Sequence, residues 1–158
     1  MTDEREWLAA LEADLRKKVD RKDPLPKLSM LSVSNDPEIK NNAVWCVAKM
    51  AQNKVADKAI LNILIPLGAD SDPQIKENVA WGIGEISGTG VSDPRSVNVI
   101  VALLSDNDKM VRGMAAWAAG RLIHRLGEND LRMTAKLKEL ENDTSEYVRS
   151  SAAFALRG

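Results

Sequence analysis

The sequence has few of the residues that build catalytic and metal-binding sites. It contains one cysteine, Cys46, and one histidine, His124, in 158 residues. A single cysteine excludes an internal disulfide, and one cysteine with one histidine cannot supply the ligands of a zinc site. A catalytic base also needs partners that orient it, and His124 stands between Arg121 and Arg125. We therefore expect no catalytic residue, no metal and no cofactor.

Charge and hydropathy exclude further classes of partner. The chain has 22 Lys and Arg against 23 Asp and Glu, and its net charge is −1 at pH 7. This balance argues against nucleic acid, because phosphate binding depends on a basic surface. No apolar run approaches the ~18 residues that span a bilayer, and the first residues are too charged for a signal peptide. We expect a cytoplasmic protein with no membrane partner.

What the sequence does contain is a repeat of 36 residues. Asp-Pro-x-Ile-Lys occupies residues 36–40 and 72–76, and a related motif follows at 108–112. A fourth copy at 145–149 arrives one residue late. Six residues after the Ile or Val of each motif stands an aromatic residue: Trp45, Trp81, Trp117 or Phe154. A fixed period of this length predicts a stack of two-helix units.

The helical periodicity divides the chain into a cap and an array. Residues 1–23 predict an amphipathic helix whose apolar side carries Trp7, Leu8, Leu11, Leu15 and Val19. It lies outside the repeat, and we expect it to cover the apolar flank of the first unit. Residues 24–158 form the array, with repeats at about 25–59, 60–96, 97–132 and 133–158. No segment alternates with period two, so we expect no strands.

The second helix of each unit resembles the HEAT-repeat family, in particular the short variety of phycobilisome lyases and many prokaryotic proteins. The resemblance rests on the helix cap, the basic residue and the small residues that recur in 36–50, 72–86, 108–122 and 145–158. It implies an all-α superhelix, a HEAT-like solenoid of about four two-helix repeats. The resemblance says little about function, because repeat scaffolds serve many partners. It allows adaptors, regulatory subunits, bilin lyases, a di-iron hydroxylase and DNA glycosylases, although the hydroxylase would need several histidines.

A helical wheel separates two faces of the second helices. One stripe, with Ile39, Ala43, Cys46 and Val47 in the first repeat, is expected to be buried. The opposite arc carries the recurring aromatics, and in HEAT-like stacks it would line a concave surface. The wheel leaves open whether these rings are exposed or packed between repeats, and we expect at least partial exposure of Trp81 and Trp117. The candidate partner-binding residues are Trp45, Trp81, Trp117, Phe154, Met110, Met114, Tyr147, Asn41, Asn42, Asn78 and Arg121.

The predicted function is a non-catalytic scaffold or adaptor that binds a helix or an extended peptide of another protein on the concave face. The asparagines would bond the partner's backbone, and the aromatics and methionines would anchor it. A structural role is the alternative. In it the C-terminal repeat would meet a second copy of the chain or a larger partner subunit through Val148, Ala152, Phe154 and Leu156. A lyase or DNA-glycosylase-like enzyme is the third, because a shape-driven pocket needs few catalytic residues.

Overall fold

The structure is a computed structural model that describes residues 3–19 and 21–158, so residues 1, 2 and 20 of the predicted cap lie outside the described residues. The described residues form nine α-helices and no β-strand, which confirms the predicted all-α class. A 3-10 turn, Ser87–Thr89, follows the fifth helix. The helices are α1 Glu4–Arg16, α2 Leu25–Leu31, α3 Pro37–Gln52, α4 Ala59–Leu67, α5 Pro73–Ile86, α6 Pro94–Leu103, α7 Lys109–Leu126, α8 Leu131–Leu140 and α9 Glu146–Arg157.

The helices form two layers. The second helices of the units, α3, α5, α7 and α9, pack side by side, and α2, α4, α6 and α8 each pack on the second helix of their own unit. Helices this short are marginal alone in water, so their stability comes from burying an apolar side against their neighbours. We call the surface of α3, α5, α7 and α9 that carries Trp45, Trp81, Trp117 and Phe154 the open face. None of the described helices is long and apolar enough to cross a bilayer.

The aspartate that begins the repeat motif is a helix cap. The side chains of Asp36, Asp72 and Asp108 accept hydrogen bonds of 3.0, 2.9 and 2.8 Å from the backbone N–H two residues further on. Such a bond satisfies one of the free N–H groups at a helix start. Proline follows the first two caps at the first helical position, where its missing N–H costs nothing. The recurrence of Asp-Pro is therefore explained by helix initiation.

The basic residue that ends the motif ties each repeat to the next. Lys40 pairs with Asp70, Lys76 with Asp106 at 2.5 Å, and Arg112 with Asp143 at 2.9 Å. In each case the carboxylate belongs to the turn before the next second helix. The hydrogen bond from Arg112 holds the pKa of Asp143 below its usual value. These basic side chains are largely enclosed, so their recurrence reflects the stacking of repeats.

The core lies between the two layers and along the seams between second helices. Ile39, Ala43, Cys46 and Val47 are at most 6 % exposed, so the predicted buried stripe is confirmed. Small residues allow the helices to approach closely. A Cβ added at Gly120 would lie 2.9 Å from Cα of Ala155, so α7 and α9 meet there almost backbone to backbone.

The N-terminal helix α1 packs against α3. Leu8, Leu11 and Leu15 are buried, as the amphipathic pattern predicts. The helix ends at Arg16, and Lys18 adopts a left-handed backbone conformation with a φ of 62°. Val19, which the pattern places on the apolar side, consequently lies beyond the helix and is exposed. The side chain of Asn53 donates a hydrogen bond of 2.9 Å to the carbonyl oxygen of Leu15, which holds this end of α1 to the array.

Candidate functional site

One aromatic side chain from each second helix lies on the open face. Trp45, Trp81 and Trp117 are half-buried, and Phe154 is 66 % exposed. The helical wheel left open whether these rings are exposed or packed between repeats. The three tryptophans are partly exposed and partly packed. Part of each indole contacts a neighbouring side chain or helix, and the rest stays accessible. The row therefore offers apolar surface that the protein itself holds in place.

The first two tryptophans contact each other across the seam between α3 and α5. The ring centroids of Trp45 and Trp81 are 6.2 Å apart, with 46° between the planes. The guanidinium of Arg16 lies over the Trp45 ring, 4.6 Å from its centroid, in a cation–π arrangement. Arg16 comes from α1, so this helix reaches onto the open face. Sequence reasoning missed Arg16, because the periodicity of α1 does not reveal which helix it docks against.

The third tryptophan sits in a network that joins α5 to α7. A Cβ added at Gly84 would lie 2.3 Å from Cζ3 of Trp117, so the indole packs directly on the backbone of α5. Arg121 stacks over the Trp117 ring at 5.4 Å and lies 3.7 Å from the carboxylate of Glu85. Glu85 also accepts a hydrogen bond of 3.3 Å from the indole N–H of Trp81. Arg121, a candidate binding residue, is thus engaged within the protein.

Towards α9 the open face becomes more apolar and more exposed. Met110, Tyr147 and Phe154 are 43 %, 38 % and 66 % exposed, and we call these three residues the apolar strip. Met114, one helical turn after Met110 on α7, is half-buried. The Tyr147 ring lies on Gly113, where an added Cβ would be 2.0 Å from Cε2. This packing buries part of the phenol, which raises the pKa of Tyr147, and the nearby Glu77 carboxylate raises it further.

At the other end of the open face, four side-chain amides surround a pocket of about 220 Å³. We call it the carboxamide pocket, and its amides belong to Asn41, Asn42, Gln74 and Asn78. Trp45 and the Glu12–Arg16 ion pair complete the lining. The structure thus brings the three predicted asparagines together. Gln74 was missed as a site residue because only the packing of α3 against α5 places it beside them.

Cys46 and His124, the one cysteine and the one histidine of the sequence, are both in contact with other parts of the protein. Cys46 is 1 % exposed, and burial raises its pKa to about 12. His124 lies at the end of α7, where its Nε2 is 2.8 Å from the carbonyl oxygen of Ala155. Among residues 3–19 and 21–158, no group of three His, Cys, Asp or Glu side chains is arranged to hold a metal ion.

Several solved structures of engineered proteins are similar to this chain. A designed armadillo repeat protein in complex with the peptide (KR)4 aligns over 99% of this chain and 77% of its own, with 19% identity and a TM-score of 0.69. A computationally designed armadillo repeat protein for modular peptide recognition aligns over 99% of this chain and 77% of its own, with 18% identity and a TM-score of 0.67. An engineered protein aligns over 98% and 73%, with 21% identity and a TM-score of 0.71. At such identities the likeness shows the fold alone.

A search among curated proteins gives no significant match. The family model for HEAT repeats, in contrast, matches residues 58–157, which is more than half of the chain. That stretch begins just before α4 and runs to the last residue of α9, so it covers three successive pairs of helices. The helical pairs, their period of 36 residues and this match agree with one another, and the chain belongs to the HEAT-repeat family.

Proposed function

We propose that the protein is a non-catalytic scaffold that binds a segment of another protein on its open face. The observation that carries the proposal is the apolar strip, which lies on the same face as the tryptophan row. Phe154 is 66 % exposed and Met110 is 43 % exposed, although both are large apolar residues of the kind usually buried in a core. Several large apolar side chains exposed on one face favour a binding role, because exposed apolar surface often marks an interaction site.

The residue types on this face also favour a protein partner. Aromatic side chains dominate the binding energy of many interfaces, and methionine adapts its shape to irregular partners. The tryptophans are already fixed by contacts with Arg16, Gly84 and each other, so a partner would lose little conformational freedom in ordering them. The peptide complex of a designed armadillo protein with the same fold supports, by analogy, a peptide as the partner.

The organisation of the chain enters the proposal as well. We take residues 1–23 as a cap and residues 24–158 as the repeat array, with repeats at about 25–59, 60–96, 97–132 and 133–158. Burial of Leu8, Leu11 and Leu15 beside α3 supports the capping role. We propose a cytoplasmic location, since the single cysteine gives an oxidising compartment no disulfide to form.

The test captures partners from a lysate of the source cells and compares variants that keep the fold. Phe154→Ala and Met110→Ala should each release a protein that the wild type retains. Leu131→Ala and Met30→Ala are matched controls, since these residues are 84 % and 73 % exposed but belong to first helices. The controls should retain the same protein. If all four variants retain it, the open face is not the binding surface.

Self-association through α9 is a second candidate function. Arg149 corresponds in the repeat to Lys40, Lys76 and Arg112, yet unlike them it forms no ion pair with any described residue. It lines a shallow surface pocket of about 520 Å³ with Ser150, Ala153, Phe154 and Arg157. In the other repeats the equivalent side of the second helix is covered by the next unit. A second copy that covers α9 there would form a homodimer. It would not use the predicted Val148 and Ala152, which are 0 % exposed because they pack inside the repeat.

A substitution at Ala153 distinguishes partner binding on the open face from self-association through α9. This half-buried side chain corresponds to the buried Val44, Ala80 and Ala116. Ala80 and Ala116 lie one helical turn from Gly84 and Gly113, which contact Trp117 and Tyr147 of the next unit. Ala153→Glu should abolish a dimer measured by sedimentation velocity and leave capture through Met110 unchanged. A wild-type protein that sediments as a monomer over a broad concentration range would remove this second candidate.

A further inference from the structure

The carboxamide pocket contains hydrogen-bonding groups that the protein leaves without partners. Asn78 is only 7 % exposed and makes no side-chain hydrogen bond within the described residues, but its carboxamide is not fully enclosed and stays open to the pocket. Asn41 donates from Nδ2 to the carbonyl oxygen of Pro37 at 2.9 Å and to Asp72 at 3.0 Å. Its Oδ1 is buried and has no donor within the described residues. Buried polar groups are normally paired, because an unpaired group loses its water without compensation.

The hydrogen-bonding groups that remain free define the chemistry of a ligand. The Oδ1 of Asn41 is enclosed, so the group that a ligand can reach is the carboxamide of Asn78, which can both donate and accept. A ligand that offers an N–H and a C=O close together, such as an amide, satisfies both. The nearby charges of Glu12 and Arg16 neutralise each other in an ion pair, 2.7 Å apart, so the pocket selects for neither an anion nor a cation.

A stacked planar ring is a poorer fit than a peptide. The Trp45 indole would be its platform, but Arg16 already lies over that ring and Trp81 contacts it across the seam. A peptide in a helix is also a poor fit, because its main-chain N–H and C=O groups bond to one another. An extended peptide leaves these groups free along its length. Both exclusions favour an extended main chain.

We propose that the carboxamide pocket binds the main-chain amides of an extended segment of the partner. The inference rests on the proposed function and deepens it: the pocket holds the backbone, and the apolar strip takes side chains further along. With helices about 9 Å apart, roughly 22 Å separate the α3–α5 seam from α9. About seven extended residues cover that distance. The partner is therefore recognised by a short extended stretch whose main chain starts at Asn78.

The experiment selects binders to the full chain from two displayed libraries. One contains unconstrained random peptides of about twelve residues, long enough for the estimated span. The other contains stable helical hairpins with a randomised outer face. The tightest unconstrained peptide is then measured against wild type, Asn78→Leu and Gln74→Ala. Asn129→Leu, an exposed asparagine before α8, is the matched control. The same peptide is also methylated at each main-chain nitrogen in turn.

We expect Asn78→Leu to weaken the peptide at least about tenfold, since a paired hydrogen bond to a buried amide is lost. Methylation of one main-chain nitrogen should do the same for wild type and add nothing for Asn78→Leu. The Asn129→Leu control should leave the affinity unchanged. The melting temperature of Asn78→Leu is measured alongside to confirm that it folds. Gln74→Ala, at an exposed position, gives a second variant whose folding is not in question.

Other results overturn the inference and separate its failure from that of the proposed function. The inference is overturned if the affinity of the unconstrained peptides is unchanged by Asn78→Leu, by Gln74→Ala and by main-chain methylation. It is also overturned if only helical hairpins are enriched. In both cases the proposed function stands if the binders still require Met110 and Phe154. Enrichment from neither library overturns both.

Discussion

The indole of Trp117 rests on Gly84 of the preceding second helix, so closely that a methyl group on Gly84 would stand 2.3 Å from Cζ3 of the ring. Gly84 itself is buried. The contact makes the third tryptophan part of the seam between α5 and α7 as well as part of the open face. Arg121 covers another part of the same ring, 5.4 Å from its centroid. Packing and exposure are thus properties of a single side chain here.

Gly84→Ala should destabilise the protein by about 1–2 kcal/mol. Overpacking a tight contact costs about 1–3 kcal/mol, and the better helix propensity of alanine offsets part of that. Urea unfolding monitored by far-UV circular dichroism measures the change. Gly88→Ala is the control, because its added methyl group would meet only the flexible ends of Arg121 and Arg125, at 3.4 and 3.6 Å. Equal stability of the two variants would mean that the Trp117 ring moves aside at no cost.

Asp143→Asn should lower the free energy of unfolding by about 1–2 kcal/mol at neutral pH, since the Arg112 guanidinium loses a charged acceptor. Asparagine keeps an oxygen for the backbone N–H of Ser145, which donates to Oδ1 of Asp143 at 2.9 Å. The hydrogen bond from Arg112 lowers the pKa of Asp143 in the folded state. Its contribution is therefore present above the ordinary carboxylate pKa near 4 and is lost as the pH falls through the folded-state pKa.

The matching measurement is the difference in unfolding free energy between Asp143→Asn and wild type, followed from neutral to acidic pH. The difference should shrink below about pH 4, where the unfolded carboxylate takes up its proton. Glu139→Gln removes a charge from an exposed pair with Lys136 and should change stability little at any pH. A difference for Asp143→Asn that stays constant with pH would contradict the charge-based explanation.

Cys46 should resist thiol reagents in the native protein. It is 1 % exposed, and because burial raises its pKa to about 12, almost none of it is thiolate at pH 8. Labelling with a chromogenic disulfide reagent should be slow in buffer and complete in urea, so the labelling rate reports unfolding. Since Cys46 is the only cysteine in the sequence, the unfolded protein supplies its own control. Rapid labelling of the native protein would place Cys46 outside the core.

Sequence reasoning reached the fold because repetition is visible in one dimension. The spacing of Asp36, Asp72 and Asp108 marks the start of three second helices, and the structure caps α3, α5 and α7 with these residues. A wheel also separates the buried from the open side of one helix. The motif spacing and the helical wheel are both local signals, so each can be interpreted without knowing how neighbouring helices pack.

The site was harder to predict because it depends on pairs of helices. Nothing in the sequence of α5 shows that Gly84 receives Trp117, or that Asn78 and Gln74 meet Asn41 across the seam. These contacts depend on how each helix is rotated about its axis, and a helical wheel does not determine that rotation. Arg16 illustrates the same point, since only the docking of α1 beside α3 brings its guanidinium over Trp45.

Replacing the aromatics should separate residues that hold the fold from residues that remain available to a partner. Trp81→Ala should cost about 2–3 kcal/mol of stability, since it removes a half-buried ring that contacts Trp45 and donates to Glu85. Phe154→Ala should stay within about 0.5 kcal/mol of wild type, because that ring is 66 % exposed. Parallel urea titrations measure both. Similar losses would mean that Phe154 is packed as firmly as Trp81, and the apolar strip would then lose its most exposed residue as an anchor for a partner.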